Sequence, residues 1–142
     1  MFPTGLYALL SGDPGIATAL GPRTDGTKGI FPLVAPEEVQ YPYIVYFQVH
    51  RENVLSYAGV NRTQELRYQF SCYAGPPYDN AKLLAQAVKD LLDGFTGRLS
   101  DGSIVGQTLP ISEHDESEEF FKATVFGVVL DYTFIVTAPA SE

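Results

Sequence analysis

Cysteine is almost absent from this sequence: Cys72 stands alone, so no internal disulfide framework can hold the fold. Tryptophan is missing altogether. No run of 18 apolar residues occurs, which excludes a transmembrane helix and gives no reason to place the chain in a membrane. The start, Met1-Phe2-Pro3-Thr4-Gly5, has no basic region and does not read as a secretory signal. Basic residues are also scarce. Nine Lys and Arg face 17 Asp and Glu, for a formal charge of −8, a poor balance for a chain that wraps nucleic acid. What is present is apolar: nine Phe, nine Tyr and 45% hydrophobics among 142 residues are enough to exclude disorder as the main state. That length suits one domain with its own core, so we expect a single domain over residues 1–142.

Periodicity supplies the elements. Leu6, Leu9 and Leu10 sit at helical spacing with Thr4 as a cap. Asp13-Pro14 restarts a helix, because Asp accepts from free N–H groups and Pro at the first position loses none. Ile16, Ala17 and Leu20 continue it, and Gly21 stops it. Polar loops are expected at 21–29, 51–63 and 112–119. Ile30 to Val34 reads as a short strand, and Pro32 puts it at an edge. Tyr43 to His50 alternates, with Tyr43, Val45, Phe47 and Val49 on one face and Ile44, Tyr46, Gln48 and His50 on the other. Leu66, Tyr68, Phe70 and Cys72 alternate with Glu65, Arg67, Gln69 and Ser71. Ala81, Leu84, Ala85, Val88, Leu91, Leu92 and Phe95 make the apolar stripe of a helix from Asp79, closed by Gly94.

Ile104 to Ile111 predicts a weaker strand, interrupted by Gly106 and Pro110. The block Glu113-His114-Asp115-Glu116-Ser117-Glu118-Glu119 reads as a charged turn. Phe120 to Val136 is strand-like throughout, with Phe126, Val128, Leu130, Tyr132, Phe134 and Val136 on one face. That is longer than the usual strand, so either Gly127 marks a bulge or part of the strand leaves the body of the domain. The expected class is α+β: a mainly antiparallel sheet, helices packed on one face, and a long C-terminal β-hairpin.

The residues offer little chemistry. Cys72 falls on the apolar side of its strand and reads as core. No Gly-x-Ser-x-Gly elbow, zinc spacing, calcium loop or phosphate loop is found. His50 or His114 could serve a small enzyme or a metal-binding domain, and His114 lies beside Asp115 and Glu116. A solvated charged turn is the alternative for the second. No catalytic residue, metal ligand or cofactor is therefore assigned. Arg51, Tyr57 and Arg62 lie around the 51–63 connection, with Arg67 following it. They read either as a contact patch for another protein or as an ordinary polar loop. The second faces of the two long strands, with Ile44, Tyr46, Val125, Val129 and Ile135, exceed what one helix can cover. A neighbouring subunit is expected over the rest. Phe121, Val125 and Val129 on the final hairpin, together with Arg51, Tyr57 and Arg62, are the candidate subunit contacts.

The order of motifs resembles a known family. Leu9-Leu10-Ser11-Gly12-Asp13-Pro14-Gly15-Ile16 is followed by Ile30-Phe31-Pro32-Leu33-Val34-Ala35-Pro36, then by Tyr41-Pro42-Tyr43-Ile44-Val45-Tyr46. Arg67-Tyr68-Gln69-Phe70-Ser71-Cys72-Tyr73-Ala74 comes next, then the helix ending in Leu91-Leu92-Asp93-Gly94-Phe95. Over roughly residues 6–136 this resembles the phage tail-completion family, the tail terminator or head-to-tail joining proteins of siphophages and prophages. The resemblance implies a virion structural protein and no enzyme, assembled in the host cytoplasm. It implies a ring, typically a hexamer, that caps the tail tube protein and joins the tail to the head connector. Genome DNA would pass through without specific binding. On that reading Asp115, Glu116, Glu118 and Glu119 line the channel and repel phosphates, or else they face outward or meet a basic partner. Another neck protein, such as a head-completion or adaptor subunit, is the alternative within the same class.

Overall fold

The computed structural model describes residues 2–21, 29–33, 41–53, 63–75, 79–120 and 123–137; within these, the side chains of 2–4, 52–53, 116–120 and 123–125 are not described. Three helices, α1 (Phe2–Ser11), α2 (Pro14–Leu20) and α3 (Asp79–Leu92), accompany six strands. The strands are β1 (Ile30–Pro32), β2 (Tyr43–Asn53), β3 (Thr63–Ala74), β4 (Gly97–Arg98), β5 (Ile104–Phe120) and β6 (Ala123–Thr137). They form one sheet in the order β1-β2-β3-β6-β5-β4. All neighbours are antiparallel except β1 and β2. The class is the α+β architecture expected from the sequence, with β5 and β6 as its long C-terminal hairpin.

Local chemistry explains the helix ends. Asp13 accepts from the Ile16 N–H at 2.9 Å, Pro14 opens α2, and Gly21 closes it at φ 72°. Gly94 follows α3 at φ 70°, a conformation only glycine adopts without strain. α1 begins at Phe2, ahead of the expected cap at Thr4. Its Gly5 lies so close to the turn at 99–101 that an added Cβ would sit 2.5 Å from Asp101 Oδ1 and 2.8 Å from Leu99 Cβ.

The alternation of the long strands builds the core. Phe70, Cys72, Val128, Leu130, Tyr132 and Phe134 are at most 1% exposed and meet Leu84, Ala85, Val88 and Leu92 of α3. Leu6, Leu10, Ile16 and Leu20 bring α1 and α2 onto the same cluster. Rings of Phe70, Tyr132 and Phe134 meet edge to face at 6.0 and 6.2 Å, the geometry aromatic quadrupoles favour. Phe95 lies beyond the end of α3 and still packs on this core.

Several expectations need correction. The block 113–119 is not a turn but the outer half of β5, paired residue for residue with β6. The long apolar stretch is not one strand over 120–136: Phe120 ends β5 and Ala123 begins β6. Gly127 carries no bulge, since its pairings with Tyr73 and Glu116 are in register. The irregularities fall at Gly106 and Ile111 in β5 and at Val49 in β2. Ile44 and Tyr46 are on the helix-covered face, 0% and 3% exposed, so the second face of β2 is instead that of Val45 and Phe47. The Val49 bulge then moves His50 to that second face, opposite Arg67. The two-residue strand β4 has no sequence signal of its own.

Candidate functional site

Helices cover one face of the sheet, and the other is the candidate site. Pairing places Val45 and Phe47 of β2, Arg67, Gln69 and Ser71 of β3, Val129, Asp131, Thr133 and Ile135 of β6, and Leu109, Ser112 and His114 of β5 on this second face. Residues directly opposite in antiparallel strands share a face, so the assignment follows from register alone. Leu109 and Ile104 are 39% and 40% exposed here, while the bulged Ile111 and Val49, which have no register partner, are 48% and 47% exposed.

At its centre Arg67 Nη2 donates to Asp131 Oδ2 at 2.9 Å, and Ser112 Oγ donates to the same oxygen at 3.1 Å. Arg67 Nε and Asp131 Oδ1 are both buried and, among the described residues, without a hydrogen-bond partner. A buried polar atom left unmatched costs free energy, so this pair is a point of incomplete satisfaction on an otherwise well-ordered sheet.

The acidic half of β5 reaches the other way. Glu113 and Asp115 share the helix-covered face with Leu130 and Val128, their register partners. Lys82 of α3 binds Glu113 at 3.1 Å and Asp115 at 2.8 Å, while Lys89 binds Glu113 at 2.9 Å. The hydrogen bonds from Lys89 and Lys82 hold the Glu113 carboxyl below its ordinary range. Two lysines of the same helix thus pin β5 to α3.

The sequence candidates fall as follows. Arg51 is exposed on β2. Tyr57, Arg62 and Phe121 lie outside the described residues, and the side chains of Val125, Glu116, Glu118 and Glu119 are not described. Val129 is 1% exposed, so its side chain is covered within the chain although register places it on the second face. Asp115 is exposed but ion-paired to Lys82. Arg67 and Asp131 are the pair that sequence reasoning did not single out; their partnership, 64 residues apart, has no local signal.

His50 and His114 are both exposed on the second face but lie on β2 and β5, three strand spacings or about 14 Å apart at the least. No three His, Cys, Asp or Glu among the described residues converge as metal ligands. Burial, with a smaller push from Glu113, raises the Cys72 thiol to about 12, which leaves it unreactive. An open cleft of about 1000 Å³ lies between α2, α3 and the end of β3. Its acids are committed elsewhere: Asp13 caps α2, and Asp90 accepts from Gln86 at 2.8 Å. No described helix is long and apolar enough to cross a membrane.

No curated protein matches the chain. Among solved structures, a chain from the virion of a native gene transfer agent (GTA) particle has the same fold. Its TM-score is 0.66 at 17% identity, over 94% of this chain and 92% of that one. The family described as tail completion protein gp17 matches residues 4–137, which is nearly the whole sequence. The chain belongs to the tail completion protein gp17 family.

Proposed function

We propose that this structural protein of a phage-like tail assembles as a closed ring, a hexamer, that terminates the tail tube and joins the tail to the head connector. The observation that carries the reading is the family match over residues 4–137, since the family is named for tail completion. The second sheet face supports it: exposed Leu109 and Ile104 beside a half-satisfied Arg67–Asp131 pair suit a surface that another subunit covers. The chain acts as one domain, and its role is structural rather than catalytic. It resides in the virion tail or neck after assembly in the host cytoplasm. Its partners are further copies of itself, the tube protein and the connector.

Genome DNA passes the ring without specific binding. The net charge of −8 per chain supports this, because a ring of acidic subunits repels phosphates. Glu116, Glu118 and Glu119, farther along β5 than the ion-paired Glu113 and Asp115, are the acids we assign to the channel side. Tight, salt-sensitive DNA binding by the isolated ring would contradict that assignment.

Native mass measurement of the purified protein tests the ring, and electron microscopy of particles tests its place. Closed hexamers at the head end of the tube are expected. A strictly monomeric protein at high concentration, with no ring in particles, would overturn the reading. A ring on the head side of the connector would instead make it a head-completion or adaptor subunit.

A further inference from the structure

The sheet ends in two unlike edges, and their match carries one further step. On one side β1 covers β2 at Ile44, Val45 and Tyr46, so among the described residues β2 is the outermost strand from Phe47 to Asn53. On the other, β4 covers β5 only at Ile104 and Val105, and Thr108 Oγ1 donates to the Phe95 carbonyl at 2.9 Å. From Leu109 to Phe120, β5 is outermost among the described residues. Long outermost strands are templates for further pairing unless something blunts or fills them.

Charge decides which pairing is allowed. The β5 edge carries Glu113, Asp115, Glu116, Glu118 and Glu119. Two such edges repel, which disfavours a two-fold dimer through β5. The β2 edge carries His50 and Arg51, with Arg67 opposite His50 on the next strand. Glu52 faces Glu65 nearer the β2–β3 connection and leaves the basic group at the 50–51 end. Direction also fits. β2, β3, β6 and β5 alternate in direction, so β5 runs opposite to β2. A copy turned about an axis roughly along the strands therefore brings its β2 antiparallel to β5. The contact is head-to-tail, and head-to-tail contacts close into rings.

We infer that the outer edge of β5 in one subunit adds to the outer edge of β2 in the next, Phe47–Asn53 against a stretch within Leu109–Phe120, making one sheet that runs from subunit to subunit. The inference rests on the ring reading and names the contact that closes it. Arg51 then faces the acids on the helix side. On the second face His50 and the partly exposed Arg67 come to the edge at Ser112 and His114. The β5–β6 hairpin beyond Phe126, the last residue paired to β3, overhangs the sheet and is left for other contacts.

Cysteine cross-linking tests it. His50→Cys is combined in turn with Ser112→Cys, His114→Cys and Glu116→Cys, all on the second face and spaced two residues apart along β5. The spacing covers the register, and the buried Cys72 stays out of the reaction. Oxidation of one combination is expected to give a reducible ladder ending at the ring's full size. Hydrogen exchange on the unmodified protein gives a second readout. Amides within 47–53 and 109–118 should become protected in rings relative to dilute subunits. Rings that form normally, yet cross-link with none of the combinations and gain no protection in these segments, would overturn this inference and leave the ring reading standing. A wild type without rings would overturn both.

Discussion

The two faces of one sheet solve different problems. On the helix-covered face, Phe70, Leu130, Tyr132 and Phe134 are at most 1% exposed, and Tyr132 donates its hydroxyl to Asp93 just past the end of α3. Burial and that hydrogen bond together push the Tyr132 phenol far above its ordinary range. On the second face, Arg67 and Asp131 each keep a buried atom unmatched, and Leu109 and Ile104 stay 39% and 40% exposed. The first face is finished by the chain itself, while the second keeps unmatched and exposed groups beside buried ones such as Val129 and Thr133. On the proposed ring reading a neighbour completes it, and substitutions can then separate folding from assembly.

The sharpest way to break the contrast is on the covered face. Phe70→Ala should cost about 3–5 kcal/mol of folding stability, from lost burial and the cavity left among Tyr46, Tyr68, Tyr132 and Phe134. Urea unfolding measures it; a loss under 1 kcal/mol would show that the core repacks freely. On the second face, Asp131→Ala leaves Arg67 without its carboxylate and should cost about 1–2 kcal/mol, held down by the solvent reaching the guanidinium. A cycle with Arg67→Leu should recover part of that loss, and strict additivity would mean the pair is not coupled.

Smaller effects follow at the acidic strand. The Glu113 carboxyl has a folded pKa below its unfolded value near 4.5. Its contribution is therefore present above that value and is lost as pH falls through the folded pKa. Glu113→Gln should lower the neutral plateau slightly, within about 1 kcal/mol for so exposed a pair, and flatten the fall below pH 5, as read by thermal melts across pH. The smallest folding effect is expected for Leu109→Ser with Ile111→Ser, within about 0.5 kcal/mol by the same melts. That variant should nonetheless shift the native mass distribution from rings towards single subunits. Unaltered rings would show that these exposed side chains play no part in assembly.

Alternation made the covered face legible. The run from Phe126 to Val136 and the run from Leu66 to Cys72 each declare a buried side, because a strand's period of two leaves no other arrangement. Asp13-Pro14, Gly21 and Gly94 likewise announce helix ends through requirements of single residues. The acidic stretch misled for a physical reason. Five acids within seven residues look like a solvated turn, and the Lys82 and Lys89 that pair with two of them stand more than twenty positions earlier. Bulges at Gly106, Ile111 and Val49 were hidden because each swaps faces with no change in composition. The Arg67–Asp131 pair was hidden because contact across β3 and β6 depends on register, which local pattern does not encode.

Cys72, the chain's single thiol, has a use that its packing role does not suggest. It is fully enclosed at 0% exposure on a central strand, so a thiol reagent can reach it only when β3 opens. Each labelled chain therefore records one opening event as a fixed mass increment. Counting those increments in free subunits and in intact particles would clock how far assembly slows the breathing of each subunit, with no added probe.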